Sequence, residues 1–396
     1  MHARSDLAPN RSLDPAVVLF PVAHLALEVY NSALSIMWPL LTVRFGLSFG
    51  AVGLLNMIFR GTMTLPQLAF APLSDRWGSK WLGVVGLAWM AAGMSLVGVA
   101  PTVAGLAVLL ALAPLGSAAF HPAGTGRVSR ALPRRRGTAV AIFMLGGTLG
   151  SSLGPVLGAW LFARRSLGAS PWLLPAGLAV AALMVAFLPA DRPSAGQGSA
   201  SLQPQAPVPP AVFLIVVASF CVSWVESALA AYAPLLITGR GEPLSAASHV
   251  LFAYSAAAAA GILAGGSLSD RIPRWQVIAL ALGCSGPLHA GVILLAGPWR
   301  LLLPAALGFF SALSHPAFVA LAQELMPDRT SLAAALTMGF SWVLGSLGMA
   351  LTGGIADRIG VQAALLANSA LPGVGLVSIV ALWRRTARRP QRAGAP

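Results

Sequence analysis

The chain has 396 residues, of which 57% are hydrophobic and only 9% are charged, and its net charge is +14. Soluble domains carry about 25% charged residues, so this composition excludes an ordinary soluble domain and predicts a membrane protein. A basic balance is also typical of nucleic-acid binding, but the placement of the charges along the chain argues against a nucleic-acid partner.

Apolar segments follow one another along the whole chain. Each has roughly the 20 residues that a helix needs to cross the hydrocarbon of a bilayer. We predict twelve such helices, at about residues 16–41, 49–73, 81–100, 103–126, 137–162, 171–189, 211–237, 246–268, 275–296, 300–325, 331–355 and 361–383. The first apolar run is too long for the core of a signal peptide, so we expect this helix to be retained.

The basic residues are distributed unevenly between the two sides. If the N-terminus is cytoplasmic, 18 of the 25 Lys and Arg residues fall on the inner side, six fall on the outer side, and Arg60 alone lies within a span. Cytoplasmic loops of membrane proteins carry such an excess of positive charge. We therefore predict a multi-pass protein of the cytoplasmic (inner) membrane with both termini in the cytoplasm and with membrane lipid, not nucleic acid, around it.

Short sequences recur at a nearly constant distance. "LSDR" occurs at 73–76 and 268–271, and "HPA" occurs at 121–123 and 315–317, which are shifts of 195 and 194 residues. Internal repeats of this kind occur in transporters built from two related halves. The predicted fold is an all-α membrane protein with two pseudo-symmetric six-helix bundles, at residues 1–189 and 211–396, the second with a basic cytoplasmic tail. Residues 190–210 are rich in Pro, Gly, Ser and Gln, which is typical of a flexible linker.

Polar residues form one stripe along the first predicted helix. His24, Glu28, Asn31 and Ser35 follow the i, i+4, i+7, i+11 spacing of a single helical face. A shift of 195 residues carries three of these positions onto Ser219, Ser223 and Glu226 in the seventh helix. Ionisable residues within the bilayer are costly and normally face a bundle interior or a water-filled cavity. Each half is therefore expected to turn one carboxylate toward a shared cavity.

The carboxylates are our candidate proton-coupling groups. Desolvation disfavours the charged form of a carboxylate, which makes proton exchange easier. Glu28, Glu226 and His24 are assigned this role. Arg60 cannot deprotonate, and three roles stay open for it: a fixed ion pair with Glu28 that only neutralises charge, a partner in coupling, or an anchor for an anionic substrate. The candidate substrate-binding residues are Asn31, Arg60, Ser35, Tyr30, Gln67, Ser223 and Tyr232.

Other polar residues receive structural interpretations. His121 and His315 precede prolines at equivalent repeat positions, and we interpret them as packing or helix-bending residues. Cys221 and Cys284 both lie within spans, so neither a disulfide framework nor a metal site is predicted. The sequence predicts no cofactor, and it contains no serine–histidine pair or metal-ligand motif that would indicate an enzyme.

Two motifs carry a resemblance to a known family. "APLSDRWGSK" at 71–80 resembles the signature loop between helices two and three of the major facilitator superfamily, with a degenerate copy, "GSLSDRIPRW", at 266–275. In that family the loop latches the cytoplasmic ends of helices. The resemblance implies the major facilitator fold and a cytoplasmic gate formed by Asp75, Arg76, Lys80, Asp270 and Arg271. The similar "ADRIG" at 356–360 falls on the outer side and receives no latch role.

The second motif is "GGTLGSSLGPVLGAW" at 146–160, which resembles the fifth-helix antiporter motif of the same family. Its members here are Gly146, Gly150, Gly154, Pro155 and Gly158. Glycines every four residues let another helix approach closely, so a generic packing ridge is the alternative interpretation. The eleventh helix has Met349 in place of the proline, and confinement of the motif to one half implies efflux.

More narrowly, "FHPAGTGRVSRALP", the fifth-helix motif and "AQELMPDR" are similar to the fosmidomycin-resistance group of bacterial exporters. The fourth-helix arginine motif of many proton–drug antiporters is absent. The hypothesis is a monomeric, proton-coupled antiporter that exports a small drug-like, anionic or amphiphilic molecule by alternating access. The alternatives are uptake by proton symport or facilitated diffusion, and a lipid exporter or flippase.

Overall fold

The structure is a computed structural model that describes residues 14–132, 135–190, 208–294, 297 and 299–387, without the side chains of Asp75 and Ser331. Within these residues the secondary structure is entirely helical. The helices are, in chain order, α1 (Ala16–Phe45), α2 (Phe49–Thr64), α3 (Gln67–Trp77), α4 (Ser79–Val97), α5 (Val103–Leu112), α6 (Pro114–Ala131), α7 (Arg136–Arg165), α8 (Leu174–Phe187), α9 (Pro210–Gly239), α10 (Leu244–Ser269), α11 (Arg274–Leu294), α12 (Trp299–Leu325), α13 (Thr330–Ala334), α14 (Ser341–Ile359), α15 (Val361–Asn368) and α16 (Leu371–Ala387).

Three short segments of other helix types complete these elements. The residues Leu167–Leu173 and Pro327–Arg329 form 3-10 turns, and Ala335–Phe340 form a π-helix between α13 and α14. Most of the predicted linker and the end of the basic tail lie outside the described residues. The predicted boundaries of the two bundles therefore stay predictions.

The predicted membrane spans agree with the structure in place, but those at 49–73, 103–126 and 361–383 are each divided between two consecutive helices. Eleven helical segments of the described chain are long and apolar enough to cross a membrane. The predicted second span, 49–73, is instead two helices, α2 and α3, that meet at Leu65 and Pro66. Proline has no backbone N–H and its ring clashes with the preceding turn. Our prediction of one continuous helix is therefore wrong here, and the second of the twelve spans is interrupted.

Helix ends at the loops follow local rules. Ser48 precedes α2, and its Oγ accepts a hydrogen bond from Ala51 N at 3.1 Å; Thr102 caps α5 in the same way through Gly105 N. Such side chains satisfy amide groups that a helix start leaves unpaired. Gly46 follows α1 with φ of 61° in the left-handed region, which a glycine adopts without strain.

The two halves repeat one packing arrangement. α1 lies along α7 in the N-terminal half, and α9 lies along α14 in the C-terminal half. Because an even number of spans separates Asp14 from Ala387, both lie at one end of the bundle, which we call the terminus end. The opposite end, which includes the start of α2 and the end of α14, is the distal end.

The halves share an apolar core only toward the distal end. One cluster fills the N-terminal half and continues into the distal parts of α9 and α10 through Ala228, Tyr232 and Val250. A second cluster, with Ile215, Val277 and Phe318, belongs to the C-terminal half alone and lies toward the terminus end. Close packing of this kind is the main attraction between helices in a membrane. The halves are therefore joined at the distal end.

Candidate functional site

Glu28 lies midway along α1, and its side chain is 17% exposed. Asn31 Nδ2, one turn further along the same helix, donates to Glu28 Oε1 at 2.8 Å. Ser151 of α7 donates to Glu28 Oε2 at 3.2 Å. The carboxylate thus has one donor from its own helix and one from the neighbouring helix.

The glycine ridge of α7 brings that neighbour close. A Cβ on Gly146 would overlap the Pro21 carbonyl oxygen, and a Cβ on Gly150 would overlap the Leu25 carbonyl oxygen. A Cβ on Gly154 would overlap the hydroxyl of Ser32. Only side-chain-free positions allow backbones to approach to this distance. The predicted antiporter motif therefore packs against the face of α1 that carries Glu28.

Two histidines face Glu28. His24 Nδ1 lies 2.8 Å from the carbonyl oxygen of Phe143, and His121 Nδ1 lies 2.8 Å from that of Ser117. A carbonyl oxygen only accepts hydrogen bonds, so both Nδ1 atoms carry a proton and donate it. The two Nε2 atoms then face Glu28 Oε1, at 3.9 Å from His24 and 3.6 Å from His121. These two Nε2 atoms and Glu28 Oε1 are therefore three neighbouring acceptors for a single added proton.

The same three side chains have the spacing of a metal site. Their ligand atoms all lie within 4.8 Å of one another. Two imidazoles and a carboxylate suit a transition metal. Glu28 also keeps its hydrogen bonds from Asn31 and Ser151, and a proton shared among these groups leaves both bonds in place.

The C-terminal half holds its carboxylate more tightly. Glu226 Oε1 accepts hydrogen bonds from Ser311 Oγ at 2.7 Å and from Tyr254 OH at 3.1 Å. His315 Nε2 lies 3.2 Å from the same oxygen. The donors come from α10 and α12, so Glu226 points into its own bundle and not outward to lipid.

The repeat explains how both carboxylates reach a histidine. By sequence shift, Glu226 aligns with Asn31, and Ser223 aligns with Glu28, so the two glutamates stand one helical turn apart in the repeat. His121 and His315 align with each other, and each lies beside the glutamate of its own half. The structure thus places both histidines beside carboxylates, and their interpretation as packing or helix-bending residues stays a prediction. The duplicated "HPA" sequence was the available signal, because it placed both at the same depth.

Arg60 connects the two carboxylates electrostatically. It lies on α2, and its guanidinium interacts with the charges of both Glu28 and Glu226. Among the described residues, no carboxylate lies within the 4.0 Å of an ion pair with Arg60. The structure therefore does not contain the fixed Glu28–Arg60 pair that the sequence left open. The guanidinium is within electrostatic range of one carboxylate from each half.

Several predicted substrate residues lie elsewhere. Tyr30 is 3% exposed and donates to the Leu173 carbonyl at 2.6 Å, so it belongs to the N-terminal core. Tyr232 is fully buried and its hydroxyl donates to backbone carbonyls at the distal end. Ser223 is buried, with its backbone against Gly345. Close helix packing covers these three residues in this structure, and their assignment to substrate binding stays a prediction.

Of the remaining polar candidates, Asn31 contacts a site carboxylate, through its Nδ2. Asn31 Oδ1 is buried without a hydrogen-bond partner in the described structure, and Ser35 is half-buried. Gln67 Nε2 donates to the Met63 carbonyl at 3.0 Å, across the interruption between α2 and α3.

The predicted cytoplasmic gate residues lie at the terminus end. Lys80 donates to the Val185 carbonyl at 2.9 Å, which ties α4 to α8 within one half. Asp270 and Arg271 are exposed and form no ion pair with another described residue. Arg76 is exposed as well, and the side chain of Asp75 lies outside the described structure. The gate role of these residues stays a prediction.

A twelve-span helical bundle in two related halves, with polar groups between them, matches a known family. The profile of the Major Facilitator Superfamily matches residues 22–347 and 245–396. The chain belongs to this superfamily. The predicted family and fold are therefore confirmed, and the protein is a multi-pass membrane transporter and not an enzyme.

Individual relatives are similar to this chain over nearly their full length. The Fosmidomycin resistance protein of Escherichia coli (strain K12) is 28% identical over 377 residues, which cover 90% of each chain. The Uncharacterized MFS-type transporter YfnC of Bacillus subtilis (strain 168) is 26% identical over 384 residues, which cover 94% of each chain. A solved bacterial homolog of the human lysosomal transporter Spinster, inward-facing and occupied, has a TM-score of 0.80 at 14% identity, covering 93% of this chain and 96% of that chain.

Proposed function

We propose that the protein is a proton-coupled antiporter of the cytoplasmic membrane that exports a small molecule by alternating access. The observation that carries this proposal is the arrangement of Glu28 and Glu226, each beside a histidine of its own half and both within the field of Arg60. The direction of transport is inferred from the similarity to the Escherichia coli fosmidomycin resistance protein and from the glycine motif.

The two carboxylates are assigned different tasks. Glu226 has two hydroxyl donors and a histidine at one oxygen, so it is the better stabilised anion. Glu28 also accepts two hydrogen bonds, from Asn31 and Ser151, but both histidine Nε2 atoms beside it lie beyond hydrogen-bond distance. We therefore assign the exchanged proton to Glu28, with His24 and His121 as its neighbours. Protonation removes a charge from the site, and a ligand that binds one protonation state better shifts the conformational equilibrium.

Arg60 is assigned to substrate recognition. Its guanidinium has no ion-pair partner among the described carboxylates, and guanidinium groups bind phosphonate, phosphate and carboxylate well. An anionic substrate would complete its charge balance when Glu28 is protonated. Fosmidomycin, a phosphonate, is therefore the probe substrate of choice.

The conformation follows from the orientation that the charges predict. Positively charged loops assign the terminus end to the cytoplasm. The halves share their apolar core at the distal end, so the site is proposed to open toward the cytoplasm in this state. The similar Spinster homolog was solved in an inward-facing conformation.

The test measures proton movement in everted membrane vesicles. Vesicles are acidified inside by respiration, and fosmidomycin is added while an internal pH dye is recorded. Antiport predicts proton release by the wild type, and Glu28→Gln is expected to abolish it, because an amide cannot exchange a proton. A symporter would instead carry fosmidomycin and protons in the same direction, so entry of fosmidomycin would not release protons from the vesicles.

Glu242→Gln is the matched control. Glu242 is also a carboxylate, but it pairs with Arg300 within the C-terminal half at the distal end. Its variant should release protons as the wild type does. Proton release by Glu28→Gln at the wild-type rate would remove Glu28 from the coupling mechanism.

A further inference from the structure

Asp357 connects the two halves of the transporter. It lies near the end of α14, in the "ADRIG" motif at 356–360, which we did not predict to be a latch. Its Oδ1 accepts a hydrogen bond from Phe49 N at 2.7 Å, and its Oδ2 accepts one from Gly50 N at 2.9 Å. These amides are the first two of α2, which belongs to the other half.

The contact suits the chemistry of a helix start. The first amide groups of a helix have no partners within it, and the helix dipole places partial positive charge there. The Ser48 hydroxyl accepts a hydrogen bond from only one of these amide groups, Ala51 N. The carboxylate of Asp357 supplies acceptors for two of the remaining groups and a negative charge at the positive end of α2. Both of its oxygens are used across the interface.

The surrounding backbones leave no room for a looser arrangement. A Cβ on Gly50 would lie 2.8 Å from Asp357 Oδ2, and a Cβ on Gly53 would lie 2.8 Å from Ala350 Cα. Tyr232 adds a bridge, since its hydroxyl lies 3.1 Å from the Phe49 carbonyl and 3.2 Å from that of Met349. α2 and α14 therefore touch backbone to backbone at the place where Asp357 binds.

We propose that Asp357 is a latch that holds the distal end closed by binding the N-terminus of α2. The carboxylate and the two amides belong to opposite halves, so opening of the distal end must break both hydrogen bonds. The latch rests on the alternating access of the proposed function, and it sets how readily the distal end opens. It requires neither a proton nor a particular substrate.

The test measures the distance between the halves at the distal end. Spin labels are placed on Val43→Cys in α1 and Ala363→Cys in α15, two exposed positions of opposite halves, with Cys221 and Cys284 replaced by serine. The distance between the two labels is recorded by double electron–electron resonance in liposomes. Three proteins are compared: the labelled protein with Asp357 unchanged, and its Asp357→Asn and Asp357→Ala variants. Loss of the charged acceptor should lower the ratio of closed to open molecules about tenfold, seen as a new population at longer distance.

Glu242→Gln in the same labelled background is the control, because it removes a distal carboxylate that binds within one half. It should leave the distances unchanged. Asp357 is exposed at the surface, so its two variants are expected to fold, which a monodisperse elution profile confirms. Overlapping distance distributions for all proteins would refute the latch, as would equal opening by the Glu242 variant. Because no substrate or proton gradient is present, a failure of proton coupling would not alter this result.

Discussion

At the scale of single residues, each glutamate accepts two side-chain hydrogen bonds, and the two differ in how closely a histidine approaches the carboxylate. Glu28 accepts from Asn31 and Ser151, and Glu226 accepts from Ser311 and Tyr254. His315 Nε2 lies 3.2 Å from Glu226 Oε1, whereas the nearer histidine Nε2 lies 3.6 Å from Glu28 Oε1. This difference is the physical basis for assigning the exchanged proton to one half.

The hydrogen bond from Ser311 to Glu226 can be tested by measuring the stability of a variant that lacks it. Ser311→Ala removes the shortest hydrogen bond to a charged group in the site, so we expect a loss of about 1–3 kcal/mol in the free energy of unfolding. Thermal unfolding in detergent, followed by intrinsic fluorescence, measures the effect.

Ser314→Ala serves as the comparison, since the Ser314 hydroxyl only donates to the Ser311 carbonyl of its own helix. Its effect should stay within about 0.5 kcal/mol. Equal destabilisation by the two variants would mean that the bond to Glu226 adds nothing.

At the scale of helices, the glycine ridge of α7 decides how near α1 can come. Gly150 faces the Leu25 carbonyl and lies against the Cβ of Glu28, so the ridge and the charged site are parts of one contact. The packing interpretation and the functional interpretation of the motif are thus compatible. Because α7 packs closely against α1, Ser151 of α7 lies within hydrogen-bond distance of Glu28.

Gly150→Ala should therefore separate α1 from α7. The new methyl group would lie 2.9 Å from Glu28 Cβ and would overlap a backbone carbonyl, which cannot move independently of its helix. Overpacking of this kind costs about 1–3 kcal/mol. The unfolding temperature in detergent and transport of the probe substrate are both expected to fall.

Gly137→Ala on the same helix is the matched variant, because nothing lies within 4 Å of its Cβ position. Alanine favours a helix over glycine by up to about 1 kcal/mol, so this variant should be neutral or slightly more stable. If Gly150→Ala behaved in the same way, the ridge would not set the spacing of the helices.

A hydrophobic pattern does not predict whether a helix continues or ends at a proline. α1 contains Pro21 and Pro39 and continues past both, whereas the second span is interrupted at Pro66. Proline removes one hydrogen bond in every case. Whether the chain bends, continues or stops depends on the helices packed around it, which a local sequence does not describe.

At the scale of the whole molecule, the orientation in the membrane rests on the distribution of basic residues. With Cys221 and Cys284 replaced by serine, cysteines at Ala363 and Arg271 would probe the distal and terminus ends. A membrane-impermeant maleimide should label Ala363→Cys in intact cells, and it should label Arg271→Cys only after permeabilisation. The reverse pattern would invert the proposed topology and the proposed direction of opening.

The amino-acid sequence by itself determined the membrane class, the duplicated halves, the family and the candidate carboxylates. Hydropathy, repeat spacing and motif residues are local properties of a chain, and the cost of burying charge in a bilayer restricts where Glu28 and Glu226 can point. Only the tertiary structure decided which residues join them. His121, His315 and Ser311 come from helices far along the chain, and their distances to the glutamates depend on how closely glycines let those helices pack. The same holds for Asp357, whose partners on α2 lie about 300 residues away, in the other half.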